Sequence, residues 1–517
     1  MNAEDKYEYI AGVEAADADT FAELLLNASD EETAILRTHL GNALHQRLHR
    51  LATRQRIARA SGNLERGTLI VVPGILGSQL TTTIDGKREH VWMNLSHLVA
   101  GHFVHLQLDE SGRDEANPRI AVNATGILKR YYGELLLTLA IHWDVHAFWY
   151  DWRMDFELIA SELHALVARL YGDNEPIYLV AHASGGLVAR WWIKQNAKRW
   201  RKAGVARNGQ KAASKLILLG APNHGTFAAP LALAGYPALI HWPVDTSLHA
   251  IDLVTQQTIA SFPSVYQLLP SPASLQATQA ALAKALYAAP TYGLEKYAHH
   301  FARAEQSHTA LAKSKTANEP GQIINIIGYN RPTPVGIHNV EKLHARADSR
   351  ARGALADTSA YEEVATIGLD GDGVVLLDLA ELGTPTLYID ESNGGLTSNP
   401  HLLAMLDNLL EVAPARVAAI ASPRLQVSTP YLVEYSGSLQ RAPLPRENEN
   451  AVDRFALLDQ AARDVLRISN DQAEERRTRT LGRLTTAEAR GEITERKREA
   501  EETIVLSLFG ATEEERV

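Results

Sequence analysis

IYLVAHASGGLVAR, residues 177–190, is the stretch that decides the fold. Its first half, IYLV, reads as a short buried strand. AHASGGLVAR (181–190) follows at the place where open α/β sheets turn sharply from strand to helix. Such a turn normally reads G-x-S-x-G or A-x-S-x-G, and the residues two before and two after its centre must be small so that strand and helix can approach. Centred on position 183, those neighbours are Ala181 and Gly185, both small. Centred on Ser184, they are His182 and Gly186, and the imidazole would crowd the approach. The turn therefore belongs to Ala183. A methyl group cannot attack a carbonyl, so the nucleophile that such a turn presents is missing.

On both sides of this turn, short apolar runs alternate with helical stretches, the mark of a mostly parallel α/β sheet. LIVV (69–72), VHAFWY (145–150), IYLVA (177–181), LILLG (216–220), IINIIG (323–328) and TLYID (386–390) read as strands, and FELIASELHALVARLYG (156–172) as a helix. Residues 226–318 interrupt the alternation with a long, largely helical insertion rich in Ala and Leu. Insertions of this length in a compact fold are usually lids or binding loops. The expected division is a helical extension over 1–66, an α/β domain over 67–420 carrying the 226–318 insertion as a lid, and a second extension over 421–517.

In the first extension, Ser29 followed by Glu32 suggests a capping box, and Leu36, Leu40, Leu44 and Leu48 recur on one helical face. Arg47, Arg50, Arg54, Arg56 and Arg59 form a basic run, read as a solvated face or as a surface for an anionic partner. In the second extension, 424–437 could add strands, 446–503 is densely charged with mixed signs, and 503–510 is a short apolar patch. Residues 1–66 and 446–517 are expected to be dispensable for folding of the central sheet.

The 517-residue chain is 45% hydrophobic and 22% charged, ordinary for a globular protein. Its net charge of −10 argues against a general nucleic-acid binder. It has no cysteine, which excludes disulfides, thiol catalysis and thiolate metal sites. The start, MNAEDKYEYI, carries three acidic residues and no signal-peptide core. No stretch approaches the roughly 18 apolar residues of a membrane span. A cytoplasmic location is expected, with any membrane contact peripheral.

Four separated segments carry a likeness: VVPGILGSQL (71–80), VWMNL (91–95), FWYDWR (148–153), and IIGYNRPTP (326–334) ahead of an acidic DGDG (370–373). SFPSVYQLLP (261–270), inside the insertion, joins them. In this order, over 68–412, the set resembles the lecithin:cholesterol acyltransferase family, which includes lysosomal phospholipases and bacterial lipase-like proteins. The resemblance implies an α/β-hydrolase fold and serine-based acyl transfer from a lipid ester to water or an alcohol, without cofactor. Both extensions lie outside it.

The resemblance also implies roles for residues. The amide of Ile75, after Pro73-Gly74, and that of Ser184 would form the oxyanion hole. The Ser184 side chain is expected to point elsewhere. Asp372 would orient the histidine, with Asp370 the lesser candidate. Calcium is the other reading of DGDG, but VVLLDL follows where further loop ligands would stand, and no metal is expected. Counting back from the helix-opening Pro400 as relatives are spaced gives Asn393 at the histidine position. Asparagine can hydrogen-bond but cannot take and return a proton near neutral pH. His401, the only histidine in 391–410, is a displaced alternative base. Phe262, Val265, Tyr266, Leu268 and Leu269 are expected to line an apolar cavity under a mobile lid. Asp151 and Arg153 read as a structural ion pair.

Two triad members are thus replaced while the acid, the oxyanion turn and the insertion remain. Either a natural relative has kept the pocket without the chemistry, or the enzyme has been deliberately disabled. The competing functions are a lipase or acyltransferase, a pseudoenzyme that binds lipid or scaffolds a protein partner through its terminal helices, and another hydrolytic class on the same fold.

Overall fold

The computed structural model describes residues 3–61, 66–94, 97–98, 101–206, 209, 211–236, 253–275, 279–314, 322–343 and 364–412. The strands are β1 (Thr68–Val72), β2 (Ser78–Ile84), β3 (Lys87–Trp92), β4 (Ile120–Ile127), β5 (Asp144–Ala147), β6 (Tyr178–His182), β7 (Gly204–Val205), β8 (Lys211–Ala212), β9 (Lys215–Leu219), β10 (Ile323–Gly328), β11 (Thr333–Ile337), β12 (Ala365–Gly368) and β13 (Thr386–Ile389). Six of them form one sheet in the order β13-β10-β9-β6-β1-β5, every neighbouring pair parallel. All six expected strands are in it. VHAFWY ends as a strand at Ala147, and its aromatic half is loop.

Parallel strands need a crossover between them, and the crossovers put helices on both faces. On β1, Ile70 and Val72 join one apolar cluster and Leu69 and Val71 the other, as period-two geometry requires. On one face lie α6 (Phe156–Leu170) and α7 (Gly185–Gln195), with the insertion beyond them. On the other lie α5 (Lys129–Leu139) and α9 (Pro400–Glu411). The fold is α/β.

Three antiparallel elements were not legible in the sequence: the sheet β3-β2-β4, the hairpin β11-β12 and the short pair β7-β8. The first follows directly on the PGILGS turn and holds it. The Trp92 indole donates to the Leu76 carbonyl at 2.7 Å, and the Trp152 indole to the Ser78 carbonyl at 3.0 Å. The two rings meet edge to face at 5.7 Å. Two segments of the family likeness thus converge on a third. Arg153, fully buried, is paired with Asp151 at 2.6 Å and Glu115 at 2.8 Å.

The first extension packs against the body. It folds as α1 (Ala3–Ala15), α2 (Ala18–Asn27), α3 (Asp30–Leu40) and α4 (Asn42–Ala60). Ser29 and Glu32 form the capping box, and Gly41, at φ 86, breaks the leucine face into two helices. Glu14 is buried against the body. Its carboxylate accepts from the Lys129 amide at 2.6 Å, and its carbonyl from the Lys129 ammonium at 2.7 Å. Burial pushes the Lys129 pKa down to about 8, with Glu14 opposing the shift. Gly126 must be glycine, since a Cβ there would lie 2.4 Å from the Glu14 carbonyl oxygen. Phe21, Leu25, Leu36 and Leu48 pack with Leu137 of α5. In the arginine run, Arg47 pairs with Glu134 and Arg59 with Asp19, while Arg50, Arg54 and Arg56 are exposed.

The second extension, 421–517, lies outside the described residues, as do 237–252, 276–278 and 315–318 of the insertion. Among the described residues, no helix is long and apolar enough to cross a membrane.

Candidate active site

The strand β6 delivers the chain to Ala183, whose φ of 47° lies in the left-handed region that side chains avoid. Packing holds it there. A Cβ on Gly185 would fall 2.3 Å from the Pro73 carbonyl oxygen, and one on Gly186 2.6 Å from the Ala221 Cβ. A Cβ on Gly74 would stand 2.8 Å from that of Ala183 itself. The elbow's backbone is therefore tight against the PGILGS turn, and its central side chain is a methyl group.

Ile75 and Ser184 meet at this elbow, but not as expected. The Ser184 hydroxyl turns inward and accepts the Ile75 N–H at 2.6 Å. The side chain expected to point elsewhere thus occupies the Ile75 amide. Its reach follows from its place at the first turn of α7, buried beside Tyr150, whose hydroxyl donates to the Pro73 carbonyl at 2.6 Å.

Asp372 and Asn393 are brought together across 21 residues of sequence. The Asn393 amide donates to the Asp372 carboxylate at 2.7 Å and to the Gly220 carbonyl at 2.8 Å. The other carboxylate oxygen accepts the amides of Val374 at 3.0 Å and Val375 at 2.8 Å. Complete burial pushes the Asp372 pKa up to about 6, against the pull of Asn393 and the two amides. Hairpin β11-β12 is the excursion that separates Asp372 from β10, and the Thr333 hydroxyl of β11 accepts the Gly373 amide at 2.8 Å. Asp370 is only half-buried, and its carbonyl accepts from Leu377. His401 is exposed on the first turn of α9, whereas Asp372 is buried.

A relay not singled out in the sequence joins the two halves of the site. The Gly74 amide donates to the Tyr132 hydroxyl at 3.0 Å, and that hydroxyl meets His182 Nδ1 at 2.9 Å. His182 Nε2 faces the Asn393 carbonyl at 2.9 Å, which can only accept, so this nitrogen carries the proton and Tyr132 donates to the other. Burial pushes the His182 pKa down to about 4, leaving the ring neutral. His182 was weighed in the sequence only for its bulk, and Tyr132 stands in a helix 50 residues earlier, where no spacing signals it.

Phe262, Val265, Tyr266, Leu268 and Leu269 are all buried in the main core cluster. Phe262 packs edge-on against Trp152, and Tyr266 against Phe301 of α8 (Ala298–Ala312). The segment is also bonded to the body, with the Phe156 amide donating to Gln267 Oε1 and the Thr226 amide to the Leu268 carbonyl, both at 2.8 Å. This part of the insertion is buried and hydrogen-bonded to the body of the fold.

No family model matches the chain, and no curated protein does. Among solved structures it is similar to the Tle4-Tli4 complex at 10% identity and a TM-score of 0.43, over 69% of this chain and 99% of that one. It is also similar to the Bacillus licheniformis lipase BlEst2 in mature form, at 13% identity and a TM-score of 0.30, over 67% of this chain and 93% of that one. Likenesses this slight carry no argument about what the chain does. Its own geometry has to.

Proposed function

We propose that this chain is an α/β-hydrolase-fold protein, resembling the lecithin:cholesterol acyltransferase family, that holds an acyl ester or lipid without turning it over. The observation that carries the proposal is Ala183 at the centre of a fully formed elbow. In the family reaction a serine oxygen adds to the ester carbonyl, a histidine takes the serine proton, and that proton leaves with the alcohol. Here the attacking atom would be a methyl carbon without a lone pair. Asn393 has no basic nitrogen to receive a proton, although its contact with Asp372 supports its standing where the histidine would. Ser184 on the Ile75 amide further withholds a donor from a developing oxyanion.

The test uses the unaltered full chain. No labelling by a fluorophosphonate and no hydrolysis of short acyl esters are expected, together with saturable binding of a fluorescent fatty-acyl ligand. Turnover that vanished with Ser184→Ala or His401→Ala would overturn the non-catalytic reading. Absence of both turnover and acyl binding would leave a scaffold.

A further inference from the structure

On the hairpin side of the molecule, far in sequence from the elbow, four ionisable side chains converge where β3 meets the short 3-10 turn His102–Leu106. Glu89 stands on β3. His102 Nδ1 lies 2.9 Å from Glu89 Oε1, His97 Nε2 3.4 Å from the same oxygen, and His105 Nδ1 3.9 Å from Glu89 Oε2. The three rings are layered, with centroids 5.2 Å apart from His97 to His102 and 5.1 Å from His102 to His105. A carboxylate that merely needed a counter-ion would take one imidazole. Three protonated rings at this spacing would repel one another.

The ring nitrogens are set as a metal site sets them. His97 donates through Nδ1 to the His90 carbonyl at 2.8 Å, which fixes the tautomer and leaves the Nε2 lone pair aimed at Glu89. His105 Nδ1 is buried and has no hydrogen-bond partner among the described residues. Zinc binds histidine nitrogen at about 2.0–2.1 Å and carboxylate oxygen at about 2.0–2.2 Å, so ligand atoms around a tetrahedral ion stand roughly 3.4 Å apart. His102 and His105 stand 2.9 and 3.9 Å from Glu89 oxygens, and one ligand atom from each of the three residues lies within 4.8 Å of the others, a spacing that a small inward shift brings to that value.

We infer that Glu89, His102 and His105 form a binding site for a divalent transition-metal ion of the zinc type, with His97 beside it. Nitrogen and carboxylate ligands without thiolate suit zinc. With three protein ligands, the ion would keep a fourth position for water. It would tie the edge strand β3 to the 3-10 turn. That turn supports the insertion: Phe103 packs edge-on against Phe262, and the Leu108 amide after it donates to the Ser261 hydroxyl at 2.9 Å.

The full chain, stripped with a chelator, is titrated with Zn²⁺ against a chromophoric competitor and separately with Co²⁺. One Zn²⁺ per chain is expected, a rise in Tm on binding, and a visible Co²⁺ band of tetrahedral intensity. The double variant His102→Gln/His105→Gln should weaken binding on the order of 100-fold and lose the band, with an unchanged far-UV spectrum without metal. Glu89→Gln, which keeps the shape and all three histidines, should weaken it less, which covers the case of a misfolded double variant. No stoichiometric Zn²⁺ in the unaltered chain would overturn the inference, and so would equal binding by both variants.

Discussion

The corner around Asp372 and the corner around Glu89 both gather titratable side chains, and they are finished in opposite ways. At Asp372 the carboxylate is matched by the Asn393 amide and two backbone N–H groups, and His182 is bonded at both ring nitrogens. Even the Ile75 amide is taken, by Ser184. At Glu89 three imidazoles crowd one carboxylate, and a buried ring nitrogen is left over. Leftover donor atoms are capacity for a ligand, whereas donors and acceptors paired among themselves are capacity spent on structure. The corner that resembles an active site is the one closed on itself.

The sharpest way to break this contrast is to reopen the closed corner. Neither Ala183→Ser nor Asn393→His alone should yield much esterase activity, because a nucleophile without a base and a base without a nucleophile are both idle. The two together should exceed either single change by on the order of 10³ in kcat/KM on a short acyl ester. Adding Ser184→Ala, which frees the Ile75 amide, should contribute about tenfold more, the worth of one net hydrogen bond. No gain from the double change in a folded protein would mean that the closure is not merely chemical.

A stability comparison sharpens the same contrast. Asp372→Ala leaves the Val374 and Val375 amides buried and unpaired and should cost about 2–3 kcal/mol in urea unfolding. Glu89→Gln in metal-free protein changes a half-exposed group and should stay within about 0.5 kcal/mol. Equal losses would show that the Glu89 corner also carries fold stability without an ion.

A third comparison is in pH. Asp372 has its pKa raised to about 6 in the folded chain, from an ordinary value of 3.8. Between these values the folded chain keeps a proton that the unfolded chain has released. The group's contribution is therefore full below 3.8 and is lost as pH rises through about 6. Asp372→Asn cannot titrate, so the wild-type-minus-variant difference in unfolding free energy should fall across this window and be flat above it. A rising difference would mean that the three hydrogen bonds outweigh burial.

The six-stranded sheet was legible because strands buried on both faces read as continuous apolar runs between glycine and proline turns. The elbow was legible because a strained turn admits only small neighbours, and this rule distinguishes Ala183 from Ser184. Antiparallel β2–β4 was not, since QLTTTI and KREHVW are mostly polar and carry no long apolar run. The inward turn of Ser184 depends on the few tenths of an ångström between two backbones, which no pattern encodes. The Glu89 cluster was passed over for a simpler reason. Glu89 and His97 belong to different elements, and only the hairpin folding back brings them together.

The order of the main sheet has a consequence for how the chain is made. After β5 pairs with one side of β1, β6 takes the other side, and β9, β10 and then β13 each attach beside the one before on that single growing edge. A chain leaving the ribosome from its amino end therefore always offers each new strand a neighbour already synthesised, and the sheet can lengthen in step with translation. The loop bearing Asn393 follows β13, the last strand of this sheet among the described residues. Until it arrives, the nascent chain holds Asp372 with one partner short, so the contact between the two can form only after β13 has been made.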